Sequence, residues 1–295
     1  FLYIQMTCQT DNQEYAEKYK KYIESIIPSL KELSQELDKK YLSTLELLKI
    51  DPGHHGMIFL RKKNSLELFR KENIPFQTRE ALLCQEYQAL CGAMTVEFNG
   101  QEQTLQMMRK YLHEPDRELR EKAWKAITAR RLKDSEKMNA IFNELVELRT
   151  AIARNAGFKN FMEYQFKAFN RFDYTPEDCL KFHKSVEECV VPLLAKVYSR
   201  RIKNLAYKSI KPWDTEVDIK NRPSLKPFED ISAFENGIQQ IFNSIDGELG
   251  NYFGLFRKWG ILDLKSRKGK APGAYQSTLS ETRKPFIFLN AVGLD

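Results

Sequence analysis

The sequence predicts a mainly α protein: a long-helix N-terminal lobe with a small β-hairpin, then further helices leading to a short β-sheet. Three observations predict this. Apolar residues recur at spacings of three and four through most of the chain. An Asn99-Gly100 pair lies between two short extended runs. Strand-like sequence returns only after Leu262.

In the first helix Tyr15, Tyr19, Tyr22 and Ile26 share a face. Leu30, Leu33, Leu37, Tyr41, Leu45 and Leu48 continue the pattern, with Pro28 expected to kink or separate the two stretches. Asp51-Pro52-Gly53-His54-His55-Gly56 reads as a turn. Leu83, Tyr87 and Leu90 mark another helix, followed by the hairpin of Thr95–Phe98 and Gln101–Thr104. Both residues of an Asn-Gly turn tolerate positive φ, which is what a tight hairpin requires.

Helices follow over Pro115 to about Leu132 and over Lys137–Asn155, with Gly157 placed to end the second. Thr175-Pro176-Glu177-Asp178 opens another helix: Thr caps, Pro takes the first helical position, and Asp sits at the third. That helix carries Leu180, Val186, Val190 and Leu194, with Pro192 as a potential kink. The stretch Lys211–Pro227 has three prolines and little periodicity, and reads as an ordered, extended loop. Ser232 and Glu235 match a capping box. Leu249, Tyr252, Phe253 and Phe256 form a last apolar face, closed by Gly260. Gly273-Ala274-Tyr275 and Phe286–Leu289 read as strands.

Composition fits a chain with a real core: 42% hydrophobic and 29% charged over 295 residues. The length suggests two domains. No apolar run approaches the ~20 residues of a membrane helix, and the start lacks the pattern of a signal peptide. The five cysteines, Cys8, Cys84, Cys91, Cys179 and Cys189, form no CxxC pair. They point to a reducing compartment, and the cytoplasm is the expected location. The net charge of +7 is spread among acidic residues, which reads as salt-laced helix surface rather than a nucleic-acid face.

Chemistry-bearing constellations are sparse. His113-Glu114 starts like HExxH, but Pro115 and Arg117 break the pattern. His54-His55 lacks further ligands at useful spacing. Cys179 with His183, and Cys84 with Cys91, sit at packing spacings. No GxSxG elbow is present. The basic loop Lys265–Gly273 departs from the P-loop pattern. Asp214, Asp218, Glu229 and Asp230 read as surface charge. No catalytic and no metal-binding residue is assigned.

Several stretches, taken in order, carry a resemblance. They are ELFRKENIP (67–75), CGAMTVEFNGQEQTL (91–105), EPDRELREKAW (114–124), AGFKNFMEYQFKAFNRFDYTPEDCLKFH (156–183), VVPLL (190–194), KPWDTEVD (211–218), GKAPGAYQ (269–276) and PFIFLNAVG (285–293). The set resembles the N-terminal half of the oligoendopeptidase F family, which is thimet-oligopeptidase-like. The resemblance implies a zinc metallopeptidase that cleaves short peptides inside a channel between helical lobes. It implies a helical lobe over 1–155 and the incomplete first part of the peptidase catalytic domain over 156–295. Zinc belongs to the full-length enzyme, and none is expected in this chain, because HExxH and the catalytic Glu are expected beyond Asp295. The chain alone is expected to be inactive. Its expected partners are short peptides and either the missing C-terminal portion or a second copy on the exposed face. Gly273, Ala274, Tyr275 and Asn290 are the substrate-binding candidates: Gly273 allows close backbone approach, while the Tyr275 hydroxyl and Asn290 amide can donate hydrogen bonds. The rival expectation is a non-catalytic helical binding or scaffold protein with a basic surface.

Overall fold

The computed structural model describes residues 1–47, 53–220 and 222–293. Leu48, Asp51, Pro52 and Asp295, and the side chain of His54, lie outside the described residues. The chain opens with α1 (Leu2–Cys8) and α2 (Gln13–Lys21), which runs through a π turn at Tyr22–Ile26 into α3 (Ile27–Leu47). Then come α4 (Gly56–Leu68), α5 (Asn73–Gly92), β1 (Thr95–Phe98) and β2 (Gln101–Thr104). Helices α6 (Leu105–Met108), α7 (Arg117–Leu132), α8 (Ser135–Asn155), α9 (Phe161–Ala168) and α10 (Pro176–Ser185) follow. A second π turn at Val186–Val190 joins α10 to α11 (Val191–Leu205). The chain then forms α12 (Ile231–Ile245), α13 (Gly247–Trp259), β3 (Leu262–Lys265), β4 (Tyr275–Leu279) and β5 (Lys284–Ala291). This is a mainly α architecture, as the periodicity predicts.

Pro28 and Pro192 do not separate helices. Each lies two residues beyond a π turn, where Ile27 N–H donates to Tyr22 O and Val191 N–H to Val186 O. Proline lacks an N–H and crowds the preceding turn, and a widened turn accommodates it without ending the helix. The capping box expected at Ser232 also moves: Asp230 caps α12, accepting from Ala233 N–H at 2.8 Å. The Thr175–Asp178 box forms as the sequence predicts, through Asp178 N–H to Thr175 Oγ1 and Thr175 N–H to Asp178 Oδ2.

Contacts divide the chain into two compact units: residues 1–16, 88–135 and 196–295, and residues 17–87 and 136–195. The boundary expected at 155/156 falls inside the second unit. The reason is local: Ile152, Ala153, Ala156 and Tyr164 share one core. Buried Asn73 ties α5 to it, donating to Ile152 O and accepting from Asn155 Nδ2. Within this unit α3 presents Leu30, Leu33 and Leu37 outward, while Asp38 is buried and paired with Lys62 at 2.5 Å.

In the first unit β1 and β2 pair antiparallel, with Asn99 at φ 54° and Gly100 at φ 75°. Their inner face joins Met108, Leu112 and Ala123 through Val96 and Phe98. The other sheet has the order β3-β5-β4, β3 and β5 parallel, β5 and β4 antiparallel. Phe288, at its centre, is fully buried.

Candidate functional site

The sheet end that carries the substrate-binding candidates is organised by Asp263 and Lys270. Asp263, on β3, accepts from Arg267 Nη1 at 2.6 Å and Nη2 at 2.7 Å, and from Lys270 Nζ at 2.9 Å. Lys270 also donates to the carbonyls of Asp263, Lys265 and Leu289, and its ammonium lies 4.4 Å from the Phe288 ring centroid. A buried ammonium is tolerated because its donors are satisfied. Burial alone would raise the Asp263 carboxyl, but the Arg267 and Lys270 donors outweigh it and hold it well below the usual carboxylate range. Burial pushes the Lys270 ammonium down. Burial and then the Asp263 neighbour push the Cys8 thiol up to about 12, so Cys8 stays a protonated thiol. Lys268 pairs with Glu102 at 2.7 Å. Arg267, Lys268 and Lys270 are thus each paired within the protein.

The four candidates sit beside this cluster. Strand β4 starts at Tyr275, so Gly273 and Ala274 precede it rather than belong to it. Gly273 has φ +92°, and a Cβ there would meet no atom within 4 Å. This open, left-handed position follows the chain's turn into β4. The Tyr275 ring stacks on Phe288 at 4.6 Å, and its hydroxyl lies 2.6 Å from Thr7 Oγ1. Burial raises the Tyr275 hydroxyl above its ordinary pKa. Asn290 Nδ2 donates to Ala271 O at 3.0 Å and Gly273 O at 2.9 Å, clamping the loop. The structure therefore brings the candidates together, with the Tyr275 and Asn290 polar groups engaged in holding the backbone of the site. Strand β4 is an edge of its sheet, with Gln276 and Thr278 exposed.

Asp214 was missed as a special residue by sequence reasoning. It is fully buried, not surface charge. Arg117 donates to it at 3.0 and 2.7 Å, Arg120 at 3.1 Å, and Lys211 N–H at 3.0 Å. Burial opposes its ionisation, yet these donors, Arg117 foremost, hold its carboxyl below the ordinary range. Arg120 itself is fully buried and donates further to the Trp213, Glu114 and Pro115 carbonyls. The signal was present: two arginines three apart on one helix face need a buried anion if that face packs. Asp218 pairs with Arg222.

His113 ends a 3-10 turn and lies 3.0 Å from Glu216 Oε2. Cys179 is half-buried, while His183 and Cys189 are exposed, so that face is not the packed one its spacing suggests. Among the described residues no group of three or more His, Cys, Asp or Glu is placed to hold a metal ion. The described residues do not supply the ligand set zinc needs. Among them, too, no helix is long and apolar enough to cross a membrane.

The family model described as peptidase family M3 matches residues 110–294. Three solved structures share the fold. PZ peptidase A, in a structure with an inhibitor, is 27% identical with a TM-score of 0.92, over 100% of this chain and 52% of that one. A protein described as an oligoendopeptidase F from Bacillus anthracis is 23% identical with a TM-score of 0.93, over 100% of this chain and 54% of that one. Another protein described as oligoendopeptidase F is 24% identical with a TM-score of 0.93, over 99% of this chain and 52% of that one. The chain spans about half the length of these structures. It matches no curated protein sequence.

Proposed function

The chain belongs to peptidase family M3, and from that premise we propose that it is the N-terminal portion of a zinc metallo-oligopeptidase that hydrolyses short peptides in the cytoplasm. Its own residues bind and orient the substrate. The observation that supports this is the outer edge of β4, which begins beside the open backbone of Gly273. An extended peptide adds to such an edge through main-chain hydrogen bonds, and alternate side chains face outward. The Asn290 clamp on the Ala271 and Gly273 carbonyls keeps that edge in place, and the Tyr275–Phe288 stack fixes the first residue of β4.

M3 peptidases are zinc-dependent; the metal, when bound, polarises the scissile carbonyl and activates water. We place its ligands and the catalytic Glu outside residues 1–295, since this sequence has no HExxH and, among the described residues, no three or more acidic, His or Cys side chains converge. The chain alone is then inactive, and its natural partner is the remaining portion of the polypeptide. Purified chain, saturated with zinc and dialysed, should retain no stoichiometric metal and cleave no fluorogenic peptide. A stoichiometric zinc complex would overturn that placement. Strand addition is tested by titrating a short peptide and following backbone amide shifts by NMR. Shifts should map to 275–279 and weaken when the peptide is N-methylated on its backbone. Shifts that avoid β4 would discard this docking mode.

A further inference from the structure

We propose that the cavity beside α4 and α9 in the second unit binds a planar aromatic anion of mononucleotide size. This inference rests neither on β4 nor on the peptidase reading. The cavity encloses about 600 Å³, inside the span of roughly 300–1,000 Å³ typical of small-molecule sites. Phe158, Phe166, Phe172 and Tyr174 supply its aromatic wall, and Lys63 and Arg171 its cations.

Arg171 carries the argument. Its guanidinium lies 5.5 Å from the Phe166 ring centroid, 5.1 Å from Phe169 and 5.7 Å from Tyr174. Three rings hold it, yet among the described residues it makes no hydrogen bond or ion pair. A guanidinium carries its N–H donors in its plane, so ring contact restrains the side chain and leaves the donors for a ligand. The backbone behind it is also fixed. Asn64, 6% exposed, donates to Lys167 O at 2.8 Å and to Asn170 Oδ1 at 3.0 Å, and Asn170 adopts φ 52°. Lys63 is likewise without an acidic partner among the described residues. The other lining charges are spoken for: Lys167 pairs with Glu67, and the Glu163 carboxylate accepts from Asn160 at 3.5 Å.

The two halves of the wall select the ligand class together. A purely apolar ligand would make no use of the two cations. A bare inorganic anion would leave the rings wet. A stacked base with a phosphate uses both, because every base offers a π face and phosphate matches an arginine fork.

The test is calorimetric titration of the 295-residue chain with AMP, adenosine and inorganic phosphate. AMP should saturate, and adenosine and phosphate should each bind more weakly by roughly tenfold or more, as loss of a charged hydrogen bond implies. Arg171→Gln and Lys63→Gln should each weaken AMP by a similar factor, with the thermal melt unchanged because both side chains are exposed. Should Arg171→Gln shift the melt, Lys63→Gln carries the same reading alone. Absence of saturation by AMP, equal binding of phosphate alone, or AMP affinity unchanged in the double variant would each overturn the proposal.

Discussion

Asp214 and Arg120 form an ion pair in which both side chains are fully buried. Such a pair is stable as a pair and unstable as a half, because removing one charge leaves the other desolvated and unpaired. Asp214→Ala should therefore lower unfolding free energy by about 3 kcal/mol or more, read from urea denaturation. A loss within experimental error of zero would mean that water reaches Arg120. Asp214 and the Asp263 carboxylate also contribute to the acid sensitivity of the fold. Asp214 and Asp263 are both held below their ordinary pKa in the folded state. A group with a depressed folded pKa adds stability that is complete above its unfolded value, about 3.9 for Asp, and lost as pH falls through the folded value. The urea midpoint should thus fall steeply between about pH 4 and the acid limit. Asp214→Asn should flatten that fall; an unchanged slope would assign it to other groups.

At the scale of elements, the features read correctly from sequence are those that backbone chemistry decides locally. Asn99-Gly100 adopts two positive φ values because a tight hairpin requires them. Gly260 ends α13 at φ +62°, and a Cβ there would meet nothing within 4 Å. Gly260→Ala should therefore cost about 1 kcal/mol, a purely conformational penalty. A loss several times larger, measured by thermal melting, would point to a steric contact instead. The features misread are those in which two local signals compete or a distant partner decides. Asp230 outcompetes Ser232 as the cap of α12. The two prolines are absorbed by π turns, a choice that the helix makes over five residues rather than at the proline. For the candidate site, sequence located β4 and β5 but read Gly273 and Ala274 as strand, whereas they form the turn that precedes β4. It could not show that the Tyr275 hydroxyl meets Thr7 or that the Asn290 amide clamps the loop at Ala271 and Gly273, since those partners lie far along the chain or across the sheet.

At the scale of the whole molecule, the resemblance was legible because many short stretches matched in order, and the same 295 residues overlay solved structures at TM-scores of 0.92 and 0.93. Those structures are about twice as long, and the apolar exposure of this chain is consistent with a surface meant to be covered. In the second unit Leu180 is 60% exposed, Phe182 66% and Leu193 57%. In the first unit Ile241 and Ile245 stand 56% and 67% exposed. Burying a side chain of this size fully contributes about 1.5–3 kcal/mol, and contiguous apolar patches beyond a few hundred Å² mark interaction surfaces. The purified chain should therefore self-associate with rising concentration and bind a hydrophobic dye. Sulfate should strengthen the association, through exclusion from apolar surface and through screening of the net charge of +7. Phe182→Glu combined with Leu193→Glu should reduce it while leaving the thermal melt in place, since neither side chain supports a core. Light scattering that shows a monodisperse monomer across the concentration range, with weak dye binding, would mean that these residues close on the chain itself and that no covering partner is required.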